Sequence, residues 1–313
     1  MTSHPDHISR LECEVPGAPD AALKLGPKTV DDVVAILRYA TGQSLGVQVW
    51  GGGTHSGYGD PPAPDLVMSM NMISSVERWE PDDLTIVVEG GARVETVEAM
   101  LAERNQSIVM PEVPGPATIG GVIAAGMSSL RRGRLYGTRE RVLELTSVTG
   151  DGRIVRSGGR VVKNVTGYDL HRLAVGAFGS LGVIVSVCLK LWPTPSGAAT
   201  VDVADLDVAG RIVRPLAILE TRSGLRVYLR GTEAEVEAQS DRLGGHTLPE
   251  LDWPADPVGS WQWSLRVPPA DTAEAVSRLP TDWDFLAIHG VGEIRCASPS
   301  AHGAPDMRGW AES

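Results

Sequence analysis

The chain has 313 residues, a formal net charge of -11, 42% hydrophobic residues and 21% charged residues. This length allows two domains, and the composition is that of a globular protein with a hydrophobic core. The acidic balance argues against nucleic acid as a partner, because a nucleic-acid surface depends on many cationic contacts with phosphate. No run approaches the ~18 apolar residues of a membrane helix, and the polar N-terminal residues indicate no secretory segment. We therefore expect a cytoplasmic protein without direct membrane insertion.

The first half of the chain alternates helical and strand patterns. Thr29 is a suitable N-cap for a helix over Thr29–Ala40, whose apolar residues recur at helical spacing. The Asp151-Gly152 pair predicts a tight turn between two strands. The remaining predicted elements are strands at Gly46–Trp50, Asp65–Met70 and Leu84–Glu89, a helix at Val94–Arg104, hairpin strands at Val142–Thr149 and Arg153–Arg156, and a strand at Gly182–Leu191.

Prolines in the segment Trp192–Pro195 predict a domain boundary. Beyond it we expect a small domain of strands and helices without an obvious chemical motif, and a polar tail from Ser298. The predicted division is 1–195, 196–290 and 291–313, the last being a return strand and tail. The expected elements are strands at Leu225–Arg230, Trp261–Val267, Phe285–His289 and Gly292–Cys296, and helices at Thr232–Leu243 and Pro269–Leu279.

Three cysteines, Cys13, Cys188 and Cys296, lie far apart in the sequence. They form no CxxC pair and no iron–sulfur ligand pattern, and their odd number disfavours a disulfide framework. No metal site is therefore expected. Any electron transfer would depend on a bound organic cofactor or on a cluster in a partner protein.

A glycine-rich stretch, WGGGTHSGYG, spans residues 50–59. Consecutive glycines allow backbone N–H groups to point into one concavity, which binds phosphate. The alternative interpretation is a flexible surface turn.

A second stretch combines Pro111 with the run ATIGGVIAAG at residues 117–126. Its small residues recur too densely for an ordinary helix face, and Gly120, Gly121 and Ala124 would allow a ligand or another backbone to approach closely. Tight helix packing inside a core is the alternative.

The third stretch, GGRVVKNVTGYDL, spans residues 158–170 and continues to GSLGVI at residues 179–184. It is neither a phosphate-binding Walker loop nor a GxGxxG fingerprint after a strand. Binding of NAD and hydrolysis of nucleoside triphosphates are therefore not supported.

In this order and spacing, the three stretches resemble the FAD-binding domain of the vanillyl-alcohol-oxidase (PCMH-type) superfamily. The resemblance covers about residues 27–195 and is greatest to the GlcE-type FAD-binding subunit of glycolate oxidase. Many relatives have an acidic residue where this chain has Phe178, whereas the GlcE-type branch tends to have an aromatic one. The resemblance implies an α+β fold, with a two-subdomain PCMH-type FAD-binding domain followed by a small α/β cap domain.

The resemblance also implies which residues contact FAD. The first loop would surround the pyrophosphate, the second stretch would run along the ribityl and isoalloxazine portion, and the third would close the flavin site and reach the adenine side. In that order, the implied residues are Gly51, Gly52, Gly53, Thr54, His55 and Ser56; Pro111, Thr118, Gly120, Gly121 and Ala124; Gly167, Tyr168 and Asp169; and Gly182, Val183 and Ile184.

Some relatives attach FAD covalently to a histidine of the first loop, and His55-Ser56 is similar to their His-Ser pattern. GlcE-type chains generally lack a histidine there, and a loop histidine can instead contact phosphate or water. We predict non-covalent FAD.

Catalytic residues are not assigned by the sequence. A hydroxy-acid dehydrogenase needs a base and an arginine for the substrate carboxylate, and relatives with this activity use a histidine cluster, often with a metal. His246, His289 and His302 lack such spacing and are interpreted as surface or packing residues.

Two further groups have open interpretations. The arginines Arg131, Arg132 and Arg134 are interpreted as a solvated basic loop, with carboxylate binding as the alternative. His171 and Arg172 lie within the third stretch and could serve the flavin or the fold.

We expect an FAD-binding subunit of a glycolate (2-hydroxy acid) oxidase or dehydrogenase complex, acting beside a catalytic flavoprotein subunit and an iron–sulfur subunit. The missing DPxxxxNPG-like segment, common at the end of family members, is consistent with a short variant or a cap completed by a partner. The alternatives are a stand-alone FAD oxidoreductase for a small hydroxy acid or alcohol, and a scaffold subunit that binds no flavin. The many glycines disfavour the scaffold, which would have no need of them.

Overall fold

The computed structural model describes residues 6–20, 23–58, 63–112, 115–159 and 169–299. They form two compact units, one built from residues before 130 together with 137–194, the other from 130–136 together with residues after 194. Helices and strands occur in both, so the predicted α+β class is confirmed. The prediction that residues 291–313 form a separate segment stays a prediction.

The elements up to residue 193 include most of those predicted. Short 3-10 helices lie at Met70–Met72 and Leu170–Leu173. All belong to the first unit except α5, which belongs to the second. In chain order they are α1 (Asp6–Ser9), β1 (Leu23–Leu25), α2 (Val30–Gln43), β2 (Val47–Trp50), β3 (Leu66–Ser69), β4 (Val76–Glu80), β5 (Thr85–Glu89), α3 (Val94–Ala102), β6 (Gln106–Ser107), α4 (Ile119–Ala125), α5 (Arg132–Leu135), α6 (Thr138–Arg141), β7 (Val142–Val148), β8 (Ile154–Gly158), β9 (Val183–Lys190) and β10 (Trp192–Pro193).

A small parallel sheet of order β1-β3-β2 supports the first glycine loop, which follows β2 directly. The apolar face of α2 packs with this sheet, where Leu25, Ile36 and Met68 are fully buried in one cluster. The helix begins as predicted at Thr29, whose Oγ1 accepts from the Asp32 amide at 3.2 Å. The Asp32 carboxylate accepts in return from the Thr29 amide at 3.0 Å. This reciprocal cap fixes the start of α2.

The Thr29→Ala variant should lose about 1 kcal/mol of unfolding free energy, because the Asp32 amide then lacks its acceptor at the start of α2. Urea unfolding of the two proteins measures the difference. Thr29→Ser keeps the hydroxyl and should retain most of the stability. An alanine variant as stable as the parent would show that the cap does not contribute.

A five-stranded antiparallel sheet of order β4-β5-β9-β7-β8 forms the larger part of the first unit. The predicted hairpin is confirmed, with Val148 paired to Ile154 and Gly152 at a φ of +74° in the turn. Helices α3 and α4 pack on this sheet through a cluster that includes Val97 and Ile123. A two-stranded pairing of β10 with β6 completes the described sheets of this unit.

Residues 117–126, whose small residues recur too densely for an ordinary helix face, contain a short helix. They form the seven-residue helix α4, capped by Thr118 and ended by Gly126 at a φ of +67°. Its small residues permit close packing, since a Cβ on Gly120 would lie 2.8 Å from the Gly90 carbonyl oxygen. The close approach of another backbone that the sequence allowed at Gly120 is therefore present.

The second unit contains a seven-stranded antiparallel sheet of order β14-β11-β13-β12-β16-β17-β15. The predicted helix at Pro269–Leu279 is instead a 3-10 turn, Pro269–Asp271, followed by a shorter α-helix. After α5, its elements are β11 (Gly197–Val203), α7 (Leu206–Ala209), β12 (Ala217–Thr221), β13 (Gly224–Gly231), α8 (Glu233–Leu243), β14 (Thr247–Leu248), β15 (Trp261–Arg266), α9 (Thr272–Ser277), β16 (Asp284–Ile288) and β17 (Glu293–Ser298).

Alternate residues of the second sheet pack into different clusters. Phe285 and Ala287 pack with α9, whereas Leu286 and Ile288 pack in the cluster that contains Leu130 from the α5 segment. Successive side chains of a strand point to opposite faces, so α5 and α9 lie on opposite faces of the sheet. None of the helices in the described residues is both long and apolar enough to span a bilayer.

Candidate functional site

A cleft of about 420 Å³ lies in the first unit beside the first glycine loop. It is bounded by β2 and the loop that follows it, by α4, and by the turn that precedes β9. Its lining residues are Gly46–Trp50, Gly51–Ser56, Tyr58, Ala63, Pro64, Thr118, Gly121, Ala124, Ala125 and 178–180.

The first glycine loop is packed tightly against the segment that precedes α4. A Cβ on Gly52 would lie only 1.7 Å from the Pro116 carbonyl oxygen, and one on Gly51 would lie 2.2 Å from Thr118 Oγ1. Real Cβ atoms do not approach backbone this closely, so only glycine permits the contact at position 52. The alternative of a flexible surface turn does not fit a loop that is fixed in this way.

The backbone of this loop leaves several donors available. Ser56 donates its amide to the Gly53 carbonyl at 3.3 Å, and Tyr58 donates to that of His55 at 3.2 Å. Within the described residues, the amides of Gly52, Gly53 and Thr54 have no hydrogen-bond acceptor. Successive amides without acceptors form a concavity suited to an anion such as a phosphate.

The N-terminus of α4, by contrast, has its first amides satisfied. Ile119 donates to the Ala92 carbonyl at 2.9 Å and Gly120 donates to that of Gly90 at 2.7 Å. The Gly121 amide donates to Thr118 Oγ1 at 3.2 Å. An anion in the cleft would therefore take its donors from the glycine loop rather than from α4.

A second, narrower recess of about 70 Å³ lies next to the cleft. The two share Val49, Gly51, Thr118, Gly121, Ala124, Phe178 and Gly179 in their linings. The recess is otherwise lined by Met70, Gly90, Gly120, Gly182, Val183 and Ile184. The site is thus extended, with amide donors in its wide part and an apolar narrow part.

This arrangement fits the predicted FAD, which joins two planar ring systems through a pyrophosphate. The amides of the glycine loop supply donors for the anionic centre of such a molecule, and the glycines allow it to approach the backbone. The apolar recess offers a place for part of a ring.

Most of the predicted cofactor residues are brought together here. Those that line the cleft are Gly51, Gly52, Gly53, Thr54, His55, Ser56, Thr118, Gly121 and Ala124. Those added by the recess are Gly120, Gly182, Val183 and Ile184. These residues line the site, as expected of residues that bind a cofactor. Their contact with FAD stays a prediction.

The other predicted residues are placed differently. Pro111 is buried and lines neither part of the site. Asp169 is exposed and forms an ion pair with Arg172 at 3.3 Å. Gly167 and Tyr168 lie outside the described residues. The sequence interpretation missed Tyr58 and Gly90 and gave Phe178 no contact with the ligand, although all three line the site.

His55 lies in the wall of the cleft rather than in free solvent. Its Nδ1 is 2.9 Å from Thr54 Oγ1, and its ring centroid is 5.5 Å from that of Tyr58. These contacts fix the imidazole at the site. Non-covalent binding of FAD, without a bond to His55, stays a prediction, and acid precipitation tests it.

The arginine group differs from its interpretation as a solvated loop. Arg134 is exposed, but the Arg132 side chain is only 15% exposed and binds the buried Glu293 through Nη2. Burial lowers the pKa of Arg132, and the Glu293 charge opposes that shift. The solvated interpretation is therefore wrong for Arg132, which joins α5 to the sheet of the second unit.

The candidate histidines are separate from one another. His246 is exposed, His289 binds Glu220 through Nε2 at 2.7 Å, and His302 lies outside the described residues. Among the residues described, no group of three or more His, Cys, Asp and Glu side chains is arranged to hold a metal ion. His171 is buried against β7 and β8 and lines neither part of the site, which assigns it a structural role.

Stability should fall as the pH drops below about 6.5, in part through His171. Burial lowers the pKa of His171 from 6.5, with Arg172 acting in the same direction and Asp169 opposing. The unfolded chain therefore binds a proton at a pH where the folded chain does not, so acid favours unfolding. Urea unfolding between about pH 7.5 and pH 5 should show a smaller fall in the free energy of unfolding for His171→Gln than for the parent protein. Equal slopes in the two proteins would contradict this role.

Comparison with known proteins identifies similar sequences and folds. Residues 21–158 match a family described as an FAD binding domain. The chain is 30% identical over 203 residues to glycolate oxidase subunit GlcE of Escherichia coli (strain K12), covering 61% of this chain and 58% of that one. It is 34% identical over 188 residues to D-2-hydroxyglutarate dehydrogenase of Xanthomonas citri pv. viticola, covering 58% and 39%.

A solved alkyldihydroxyacetonephosphate synthase has a similar fold. The TM-score is 0.65 at 13% identity, over 88% of this chain and 68% of that chain. At this identity the likeness shows the fold alone. The chain spans 58% and 39% of the lengths of the two curated relatives, so their whole activities are not carried over directly.

Proposed function

Because the chain belongs to the FAD-binding flavoproteins of the vanillyl-alcohol-oxidase (PCMH) type, we propose that it is the FAD-binding subunit of a 2-hydroxy-acid oxidase or dehydrogenase complex. Glycolate is the proposed substrate class of that complex. The partners would be a catalytic flavoprotein subunit and an iron–sulfur subunit, and the compartment would be the cytoplasm.

The extended site beside the glycine loop is the observation that carries this proposal. Its amide donors and apolar recess suit a dinucleotide with planar rings, and most of its lining residues lie within residues 21–158, which match the FAD family. The likeness to GlcE, a glycolate oxidase subunit by name, supports the substrate class and the division into subunits.

Bound FAD would supply an acceptor for two electrons, while the chain's own residues would hold and shield it. The amides of Gly52, Gly53 and Thr54 would bind the pyrophosphate. The close packing of the loop on Pro116 would keep these donors in place before the cofactor arrives. No residue of the described site is assigned as a catalytic base, so substrate oxidation is proposed to involve a partner.

A stand-alone dehydrogenase is the second candidate, because the similarity to D-2-hydroxyglutarate dehydrogenase is 34% over 188 residues. In that case the isolated chain would itself reduce FAD at the expense of a hydroxy acid. The buried His289, which contacts the half-buried Glu220, would then need a catalytic test of its own.

Anaerobic reduction of the flavin distinguishes the two candidates. Two preparations of the FAD-loaded chain are compared: the isolated chain, and the chain purified by affinity from its native cells together with any bound proteins. Each is mixed with glycolate, D-lactate or D-2-hydroxyglutarate. We expect bleaching with glycolate only in the purified assembly, which should also contain iron. Rapid bleaching by the isolated chain would overturn the subunit proposal and favour the stand-alone enzyme.

A further inference from the structure

Phe178 combines two features that do not stabilise the fold. Its side chain is 58% exposed, and its backbone has a φ of +49°. A bulky residue in this left-handed region is uncommon and strained. Such a position is therefore a candidate for contact with a ligand.

The turn around Phe178 is fixed against α4. Phe178 donates its amide to the Ala124 carbonyl at 2.8 Å, and Gly176 donates to that of Ile123 at 3.0 Å. Both bonds are accepted by carbonyl groups at the C-terminal end of α4, and the Ile123 carbonyl also accepts from the Gly126 amide at 3.0 Å. The position of the Phe178 ring is thus set by the helix that also forms the floor of the site.

Phe178 is the aromatic side chain that lines both the cleft and the narrow recess within the described residues. On the cleft side it is supported by Tyr58, with ring centroids 6.1 Å apart and planes tilted by 32°. Tyr58 in turn contacts His55. These three rings, here called the aromatic wall, run along one side of the cleft.

We propose that Phe178 stacks on the adenine ring of FAD and thereby makes the site selective for a dinucleotide over FMN. The inference rests on the proposed function in one respect, namely that the site binds FAD. Stacking on an aromatic side chain is a general way to bind a nucleobase. A ring that contacts Phe178 can also reach the recess, which Phe178 lines.

The size of the recess favours adenine over isoalloxazine at this position. The recess measures about 70 Å³ and is walled by Val49, Met70 and Ile184, whereas the cleft measures about 420 Å³. The edge of the smaller, two-ring system suits the narrow end, and the three-ring system then occupies the wide part. The amides of the glycine loop lie in the cleft that Phe178 also lines, where a pyrophosphate bound to a stacked adenosine would be held.

Binding of three ligands to the flavin-free chain tests the proposal. The dissociation constants of FAD, ADP and FMN are measured by isothermal titration for the parent and for Phe178→Ala. We expect the variant to bind FAD and ADP at least about 10-fold more weakly and FMN with unchanged affinity, the factor expected from loss of one base–aromatic stack. Phe178→Trp should restore the affinity for both adenine-containing ligands.

Leu173→Ala is the matched control, because Leu173 belongs to the same segment and is 54% exposed but lines neither part of the site. Its three dissociation constants should equal those of the parent. Phe178→Leu keeps an apolar side chain without a ring and should behave like the alanine variant. Thermal unfolding of each variant confirms that the fold is retained.

The outcomes separate this inference from the proposed function. If the parent binds FAD but Phe178→Ala weakens FMN as much as ADP, or weakens neither, adenine stacking is wrong while FAD binding stands. Unchanged binding in Phe178→Ala combined with loss of a co-purifying protein would assign Phe178 to a partner surface instead. If the parent binds neither FAD nor ADP, the proposed function fails and this inference fails with it.

Discussion

Replacing Gly52 with alanine is expected to weaken FAD binding about 100-fold. The new Cβ would lie 1.7 Å from the Pro116 carbonyl oxygen, which is backbone and has no flexible end that can turn away. The loop must move off this segment, and its amides then lose their positions. Loss of one hydrogen bond from an N–H group to a charged phosphate, worth about 1.5–3 kcal/mol, accounts for a change of this size. Titration of the flavin-free chain with FAD measures it.

Gly57→Ala is the control for the Gly52 variant. Gly57 belongs to the same loop and does not line the cleft, and apart from its chain neighbours no atom of the described residues lies within 4 Å of the position a Cβ would take. This variant should bind FAD like the parent. Parent-like affinity in Gly52→Ala, with the fold intact, would show that the packing of the loop on Pro116 does not set the geometry of the site.

Glu293→Gln is expected to destabilise the second unit by about 3–5 kcal/mol, because it removes the anion from a mostly buried cluster of arginines. Glu293 is 5% exposed and binds Arg132, while its Oε1 accepts from Arg295 Nε at 2.9 Å. Arg266 lies 4.0 Å away. Urea unfolding followed by tryptophan fluorescence should report the change, since Trp263 and Trp283 are stacked in the second unit.

Glu274→Gln is the comparison for the Glu293 variant. Glu274 also pairs with an arginine, Arg278, but both side chains are substantially exposed. Exposed pairs contribute about 0–1 kcal/mol, so this variant should be nearly as stable as the parent. If the two variants lose similar stability, burial of Glu293 does not increase the contribution of its ion pairs to the free energy of unfolding.

Local signals in the sequence predicted much of the first unit. Thr29 and Asp32 form the expected cap because both partners of the capping box lie within one helical turn. The Asp151-Gly152 turn defines its hairpin for a similarly local reason. The family resemblance of the glycine stretches implied most of the residues that line the site, whereas Pro111 and Asp169 do not line it and Gly167 and Tyr168 lie outside the described residues.

Features that depend on distant contacts were missed. Strand β4 is an edge strand with mostly exposed residues, so it shows no alternation of buried and polar positions. Arg132 is buried because Glu293, distant in sequence, lies beside it in the fold. The need for glycine at position 52 depends on Pro116, and nothing local to the loop indicates that contact.

The absorption spectrum of the purified chain, taken before and after acid precipitation, tests the central claim most directly. We expect visible flavin bands after incubation with excess FAD and removal of the unbound cofactor. Acid should release the colour into the supernatant, because the cofactor is held by amides and ring contacts rather than by a bond to His55. Colour retained in the pellet would contradict non-covalent binding. A chain that shows no flavin bands even after incubation with excess FAD would contradict FAD binding and the function proposed from it.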